Sequence, residues 1–355
     1  WLKLMDEGRF ASNFSVGQGG TTTFDLNGQN LNFQGDNGTV NFSGLDSFTG
    51  WTDSNAIKFY NKPGTTTYLR SGGVKIGGNF KNTCRGSLKL LDALNIEGNF
   101  YNGFGNAAFF DANGQAVTIS GSAWISNGIY YGRAGTQNFM TDLYIEGGTF
   151  TGATGAVNIG RDFRLNSGAI NLGAQTVNVA GTARFSGGTA KTTSGAKINI
   201  TGGTYYSGST INMTGATLDI DGNFYWSAGN VSFSSLLRLA GNWTRTGGTV
   251  VGVRANTVEF NGTKNQTFSD SDPGEVGFYN LTYSGNQTLH ILSPLCVAYA
   301  VTIGHGTVDL HRNDVYILPT TTMNNFYADN RNIINRGLLY LVLGGYQYPV
   351  SWDSL

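Results

Sequence analysis

Asp219 and Asp221 stand two residues apart in the segment LDIDG. In a strand that spacing turns both carboxyls to one outward face. Paired acids on such a face are what glycan cleavage requires, one carboxyl protonating the leaving oxygen and the other serving as base or nucleophile. A further acid or base must converge on the pair. A return of the chain every ~20 residues would set Asn199 and Thr201 on one side and Arg238 and Ala240 on the other. That supplies one Arg and no second acid pair, so the plainer reading is a solvated polar face with one Asp–Arg contact. No catalytic residue is assigned, and the chain is read as not an enzyme.

Asp270, Asp272 and Glu275, in SDSDPGE, place carboxylates at nearly alternate positions around a Gly. Oxygen ligands so spaced can wrap Ca²⁺, although the full EF-hand loop is absent. Calcium is the one cofactor candidate, and a simple acidic loop is its alternative. His290, His305 and His311 are the only histidines, and none stands at the short spacing of a zinc pair. They read as surface or turn residues. Cys84 and Cys296 are far apart and outside any CxxC, which reads as two buried thiols. No G-x-S-x-G elbow occurs, and no helical pattern follows the GxG strings, which are therefore turns.

The elements that would position these groups follow from composition. Gly is 53 of 355 residues, Pro only 5, and charged residues 12%, about half the usual ~25%. With 17 Tyr, 22 Phe and 6 Trp and a net charge of zero, the chain has the means to bury a core. Lys and Arg number 22 against 22 acids, without a basic run, which speaks against a nucleic-acid partner. No apolar stretch reaches the ~18 residues of a membrane-spanning helix. The chain opens at Trp1 with neither Met nor a signal-like segment, the expectation for a mature form or a fragment.

One pattern recurs: apolar, polar, apolar, a Gly turn, an aromatic. It reads VKIGGNF at Val74, LNIEGNF at Leu94, VTISGSAW at Val117, LYIEGGTF at Leu143 and VNIGRDF at Val157. It continues as VNVAGTARF at Val177, INITGGTYY at Ile198, LDIDGNFYW at Leu218, LRLAGNW at Leu237 and VEFNG at Val258. Strict alternation marks strands with one buried face. A short unit returning every ~20 residues cannot bury that face alone and must stack on the next. The expected fold is all-β, a single-chain parallel β-helix or β-solenoid with right-handed coils. Residues 21–318 form the solenoid, 1–20 a cap or docking segment, and 319–355 apolar strands that cap the end or contact another subunit. Phe80, Phe100, Trp124, Phe150, Phe163, Phe185, Tyr205, Phe224 and Trp243 follow the Gly turns. They read as corner residues stacked inside, with a row of glycan-binding platforms as the alternative.

GNWTRTGGTVVGVRANTVEFNGTKNQTF, then FYNLTYSGNQTLHILSPLCVAYAVTIGHGTVDL, resembles the Gly/Asn/Thr-rich β-solenoid repeats of secreted microbial surface proteins. These include adhesins, autotransporter-like passengers and sheath or filament components. The resemblance is best over 237–310 and looser over 74–236. It implies an extracellular or cell-surface location and a structural protein that self-assembles with copies of itself into a filament, sheath or surface layer. Two alternatives stand beside it: an adhesin that binds cell-surface glycans or a partner cell, and a polysaccharide-active β-helix enzyme. GLLYLVLGGYQYPV, uncharged between Arg336 and Asp353, is the most apolar stretch. An apolar end with open strand edges is expected to dock on a neighbour, so Leu338, Leu339, Leu341 and Leu343 are the candidate assembly contact.

Overall fold

In the computed structural model, residues 2–3, 5–6, 8–10, 13–15, 22–34, 36–103, 108–251, 257–272, 278–317, 326–327, 333–343 and 346–352 are described. The chain is an all-β parallel β-solenoid of about 15 coils, roughly 20 residues apart. No α-helix occurs among the described residues. Two compact units divide it, Trp1–Ala180 and Gly181–Leu355.

In the first unit each full coil contributes up to three short strands, which gives three faces. The first face runs Leu2–Lys3, Thr23–Asp25 and Ser47–Thr49. It resumes as Lys75–Ile76, Leu94–Ile96, Val117–Ile119, Gln137–Phe139, Val157–Ile159 and Thr176–Val179, every pairing parallel. The second face starts at Gly8–Phe10 and Leu31–Phe33, and the third at Phe14–Ser15 and Thr39–Asn41. Residues before position 20 thus already pair in register with the coil that follows them. The recurrent Val and Ile are buried, among them Val117, Ile119, Val157 and Ile159. Corner aromatics stack inside: Phe33, Phe59, Phe80 and Phe100 have successive ring centroids 5.2, 5.1 and 5.8 Å apart. That spacing is close to the ~4.8 Å between neighbouring strands, so one residue per coil makes a continuous column.

The second unit repeats the plan. Its first face runs Lys197–Ile200, Thr217–Ile220, Leu236–Leu239, Thr257–Phe260 and Phe278–Tyr283. Leu295–Ile303, Val315–Ile317 and Leu339–Leu343 extend it. Its second face runs from Ala183–Phe185 through Trp243–Arg245, Gln266–Asp270, Thr288–Ile291 and Thr307–Asp309 to Ile333–Ile334. The final strand, Tyr346–Val350, is antiparallel to Leu339–Leu343. Ile198, Ile200, Leu218 and Ile220 are buried, as alternation requires.

The Gly-Asn of the repeat has a mechanical reason. Asn79 Oδ1 accepts the Asn99 N–H at 3.0 Å, and Asn99 Oδ1 accepts that of Ser122 at 2.9 Å. Asn223 and Asn242 do the same for Asn242 and Thr267, each at 2.8 Å. Each corner Asn therefore satisfies a backbone donor of the next coil where the strand ladder is interrupted. The Gly before it lets the coils close up: a Cβ on Gly222 would lie 2.5 Å from the carbonyl carbon of Gly202.

Candidate functional site

The register brings together side chains that the sequence separates by a whole coil. His290 and Asp309 are directly paired on the second face. Leu289, Ile291, Val308 and Leu310 are in the core, and alternation turns His290 and Asp309 to the opposite side of the sheet, where Asp309 is nonetheless covered, 7% exposed. His311 follows in a turn with a left-handed backbone, φ +47°, succeeded by Arg312 at +63°. This turn carries the His311 ring back over the column. His290 Nδ1 lies 2.9 Å from His311 Nε2, so one ring N–H donates to the other ring's lone pair. Asp309 Oδ2 is 3.3 Å from His311 Nε2 and 3.6 Å from His290 Nδ1. Asp309 Oδ1 is held separately, accepting the His311 N–H at 3.0 Å and the Asn335 side-chain amide at 2.9 Å. Burial pushes the Asp309 carboxyl up, but these donors and the two imidazoles outweigh it and hold the group below the usual carboxylate range. Both histidines had read as unrelated surface or turn residues. The spacing of 21 residues, equal to one coil, was the signal that joins them.

Asp219 sits in register between Asn199 and Arg238, as the ~20-residue return required. The next coil adds Glu259, which sequence reasoning missed because it stopped one coil short. Glu259 Oε2 accepts from Arg238 Nε at 3.0 Å, and its Oε1 from the Ser284 hydroxyl at 2.7 Å. Burial raises the Asp219 carboxyl; Arg238 opposes this, while Asp221 and Glu259 add to it. The arrangement is a stripe of alternating charge whose one cation is bound to the far acid.

Asp270 faces inward. Its Oδ1 accepts Arg245 Nη1 at 3.1 Å and the Asp272 N–H at 2.9 Å, and both side chains of the ion pair are buried. Asp272 contributes its backbone carbonyl to the same guanidinium at 2.8 Å. Glu275 lies outside the described residues. Cys84 and Cys296 are buried and not joined in a disulfide, and burial pushes the Cys84 thiol up to about 12.

Of the aromatics that follow the Gly turns, Phe80, Phe100, Phe150, Phe163, Phe185, Phe224 and Trp243 are core residues. Trp124 and Tyr205 face outward and join stacks. In the first unit Tyr101, Trp124 and Tyr144 stack at 5.0 and 5.1 Å, their planes nearly parallel, with Lys81 over Tyr101 and Arg164 over Tyr144. In the second, Arg184 covers Tyr205, which stacks on Tyr225 at 4.9 Å. Ring faces in such a stack are turned to neighbours and to the capping cations, while the edges point outward. A saccharide platform needs an open face. Asn138, Asn158 and Asn178 form a similar outward ladder: the Asn158 and Asn178 amides each donate to the preceding Asn Oδ1 at 2.8 Å, and Asn138 donates to the Thr118 hydroxyl at 3.3 Å.

At the C-terminal end Leu339 is buried, 1% exposed, against its own coil, whereas Leu338 is 56% exposed. The side chains of Leu341 and Leu343 lie outside the described residues. Among the described residues no helix is long and apolar enough to cross a membrane. No protein-family model, curated protein or solved structure matches the chain.

Proposed function

We propose that this chain is a structural element of an extracellular or cell-surface assembly, built from copies of itself. The observation that carries the reading is that outward side chains, like inward ones, are bound coil to coil. The Asn138–Asn158–Asn178 ladder and the Tyr101–Trp124–Tyr144 stack spend their polar atoms and ring faces on each other. Such a surface resists deformation. A low content of charge lets copies approach without strong repulsion. The contact is assigned to the C-terminal end, where Ile334, Leu338, Tyr346 and Tyr348 are exposed. Apolar side chains gathered at one end mark an interaction site.

Negative-stain microscopy and sedimentation of the purified chain test this. Wild type is expected to form ordered polymers or sheets. A Leu338→Ser, Tyr346→Ser, Tyr348→Ser triple variant is expected to give folded, dispersed subunits. A wild type that stays monomeric at high concentration overturns the reading. If it also binds a defined glycan, an adhesin replaces the proposal; if it cleaves a polysaccharide, an enzyme does.

A further inference from the structure

We infer that His290, Asp309 and His311 form a binding site for one divalent transition-metal ion, with Zn²⁺ the best fit. The three candidate ligand atoms, His290 Nδ1, His311 Nε2 and Asp309 Oδ2, are separated by 2.9, 3.3 and 3.6 Å. Zinc bonds of ~2.0–2.1 Å in a tetrahedron require ligand atoms about 3.3–3.4 Å apart. The observed triangle brackets that edge, so an ion placed against it would reach all three atoms with small ring rotations. Two imidazoles and one carboxylate suit zinc and its neighbours in the first transition row. They do not suit Ca²⁺ or Mg²⁺, which take oxygen ligands.

The support of the carboxylate strengthens the case. Asp309 Oδ1 is occupied by Asn335 and by the His311 N–H, which leaves Oδ2 directed at the two rings. Outer hydrogen bonds that fix a ligating carboxylate are a regular feature of metal sites. Both rings must present a lone pair to the ion. The ring that now donates across the 2.9 Å contact shifts its proton to its other nitrogen, which frees the lone pair that the ion needs. His311 is the most exposed of the three, and a water molecule would complete the tetrahedron from the solvent side. The ligands come from two successive coils, with Asn335 supplied by the next. A bound ion would therefore staple the coils of the second unit together.

The full chain, treated with chelator and exchanged into metal-free buffer at pH 7.5, is titrated with Zn²⁺ in a calorimeter. Melting is followed in parallel. One equivalent is expected to bind and to raise the melting temperature. His290→Ala and His311→Ala are each expected to weaken binding at least tenfold, and the double variant to abolish the saturable event. His305→Ala, which changes the one histidine outside the cluster, keeps wild-type affinity. Circular dichroism of each variant confirms that the solenoid is intact. Should a variant not fold, Co²⁺ added to wild type decides instead, because tetrahedral nitrogen and oxygen ligation gives an intense visible band and aqueous Co²⁺ does not. Absence of saturable Zn²⁺ binding, an octahedral Co²⁺ spectrum, or full binding by the folded double variant overturns the site.

Discussion

Replacing Arg245 by Ala should be among the most damaging single changes in the second unit. Arg245 is 2% exposed, and its guanidinium lies 4.5 Å over the Trp226 ring and pairs with the buried Asp270 carboxylate. It also donates to the carbonyls of Gly247, Gly248 and Asp272. Removing one partner of a buried pair leaves the other charge uncompensated, at a cost of ~3–5 kcal/mol. The lost cation–π contact adds about 1 kcal/mol. The measurement is a denaturant midpoint read by tryptophan fluorescence, since Trp226 and Trp243 are buried beside the site. A double variant, Arg245→Met with Asp270→Leu, should recover most of the loss, because no charge then remains buried.

The deficit should also depend on pH with a definite sign. Burial already raises the Asp270 carboxyl above its ordinary value, against the opposing effects of Arg245 and the Asp272 N–H. Without Arg245 it rises further. An acid whose folded value is raised costs stability while it is ionised, above that value. The cost disappears as pH falls toward the unfolded value near ~4. The gap between Arg245→Ala and wild type should therefore narrow from pH 7 to pH 5. A deficit below ~1 kcal/mol at pH 7, or one unchanged at pH 5, would refute the reasoning.

Gly222→Ala should lower stability by roughly 1–3 kcal/mol, since its new Cβ would meet the Gly202 carbonyl carbon at 2.5 Å and force two coils apart; an unchanged melting temperature counts against close coil contact there. Asp142 is held at about 2, chiefly by its hydrogen bond to Arg161, with the Asp162 N–H and Tyr144 hydroxyl assisting. Its contribution, on the order of 1 kcal/mol because solvent screens the exposed Arg161, is complete above the unfolded value near ~4 and lost as pH falls toward 2. Asp142→Asn should therefore be less stable than wild type at pH 7 and nearly equal to it at pH 2, as compared by acid titration of circular dichroism.

The fold was legible because a β-solenoid writes its period into its buried face. Val157 and Ile159, Val177 and Val179, and Ile198 and Ile200 each return after one coil, and each is buried. The outward face carries the same period but no fixed chemistry, so its pairs were harder to see. Asn199, Asp219 and Arg238 were placed correctly by counting one coil; Glu259 and the His290–His311 pair needed the same count taken at every polar position. Asp270 misled for a different reason. Its neighbours in sequence are polar and suggest a loop, yet it ends a strand whose inward position faces Arg245. Local composition does not report which side of a strand a carboxylate takes.

The C-terminal end shows how a solenoid limits its own ladder. In the antiparallel pair Leu343 faces Tyr346, Leu341 faces Tyr348 and Tyr340 faces Pro349. The Val315 N–H donates to the Leu338 carbonyl at 2.9 Å, so the backbone polar groups of Leu338 and, two residues on, of Tyr340 turn toward Val315–Ile317. Bonding to the antiparallel strand therefore falls on the alternate pairs, Leu339 with Val350, Leu341 with Tyr348 and Leu343 with Tyr346. Tyr340 with Pro349 then falls at a non-bonded position, so the proline nitrogen lies on the outer edge, where it removes a donor that an added strand would need. Strand addition at this edge is thereby hindered, whereas Tyr346 and Tyr348 remain exposed. If copies of the chain meet here, the physical route is packing of aromatic and aliphatic side chains across the hairpin, not continuation of the backbone ladder. A contact of that kind can be removed by changing exposed side chains while leaving the last coil folded. Deleting the whole segment would also strip Leu339 from the core and confuse loss of assembly with loss of fold.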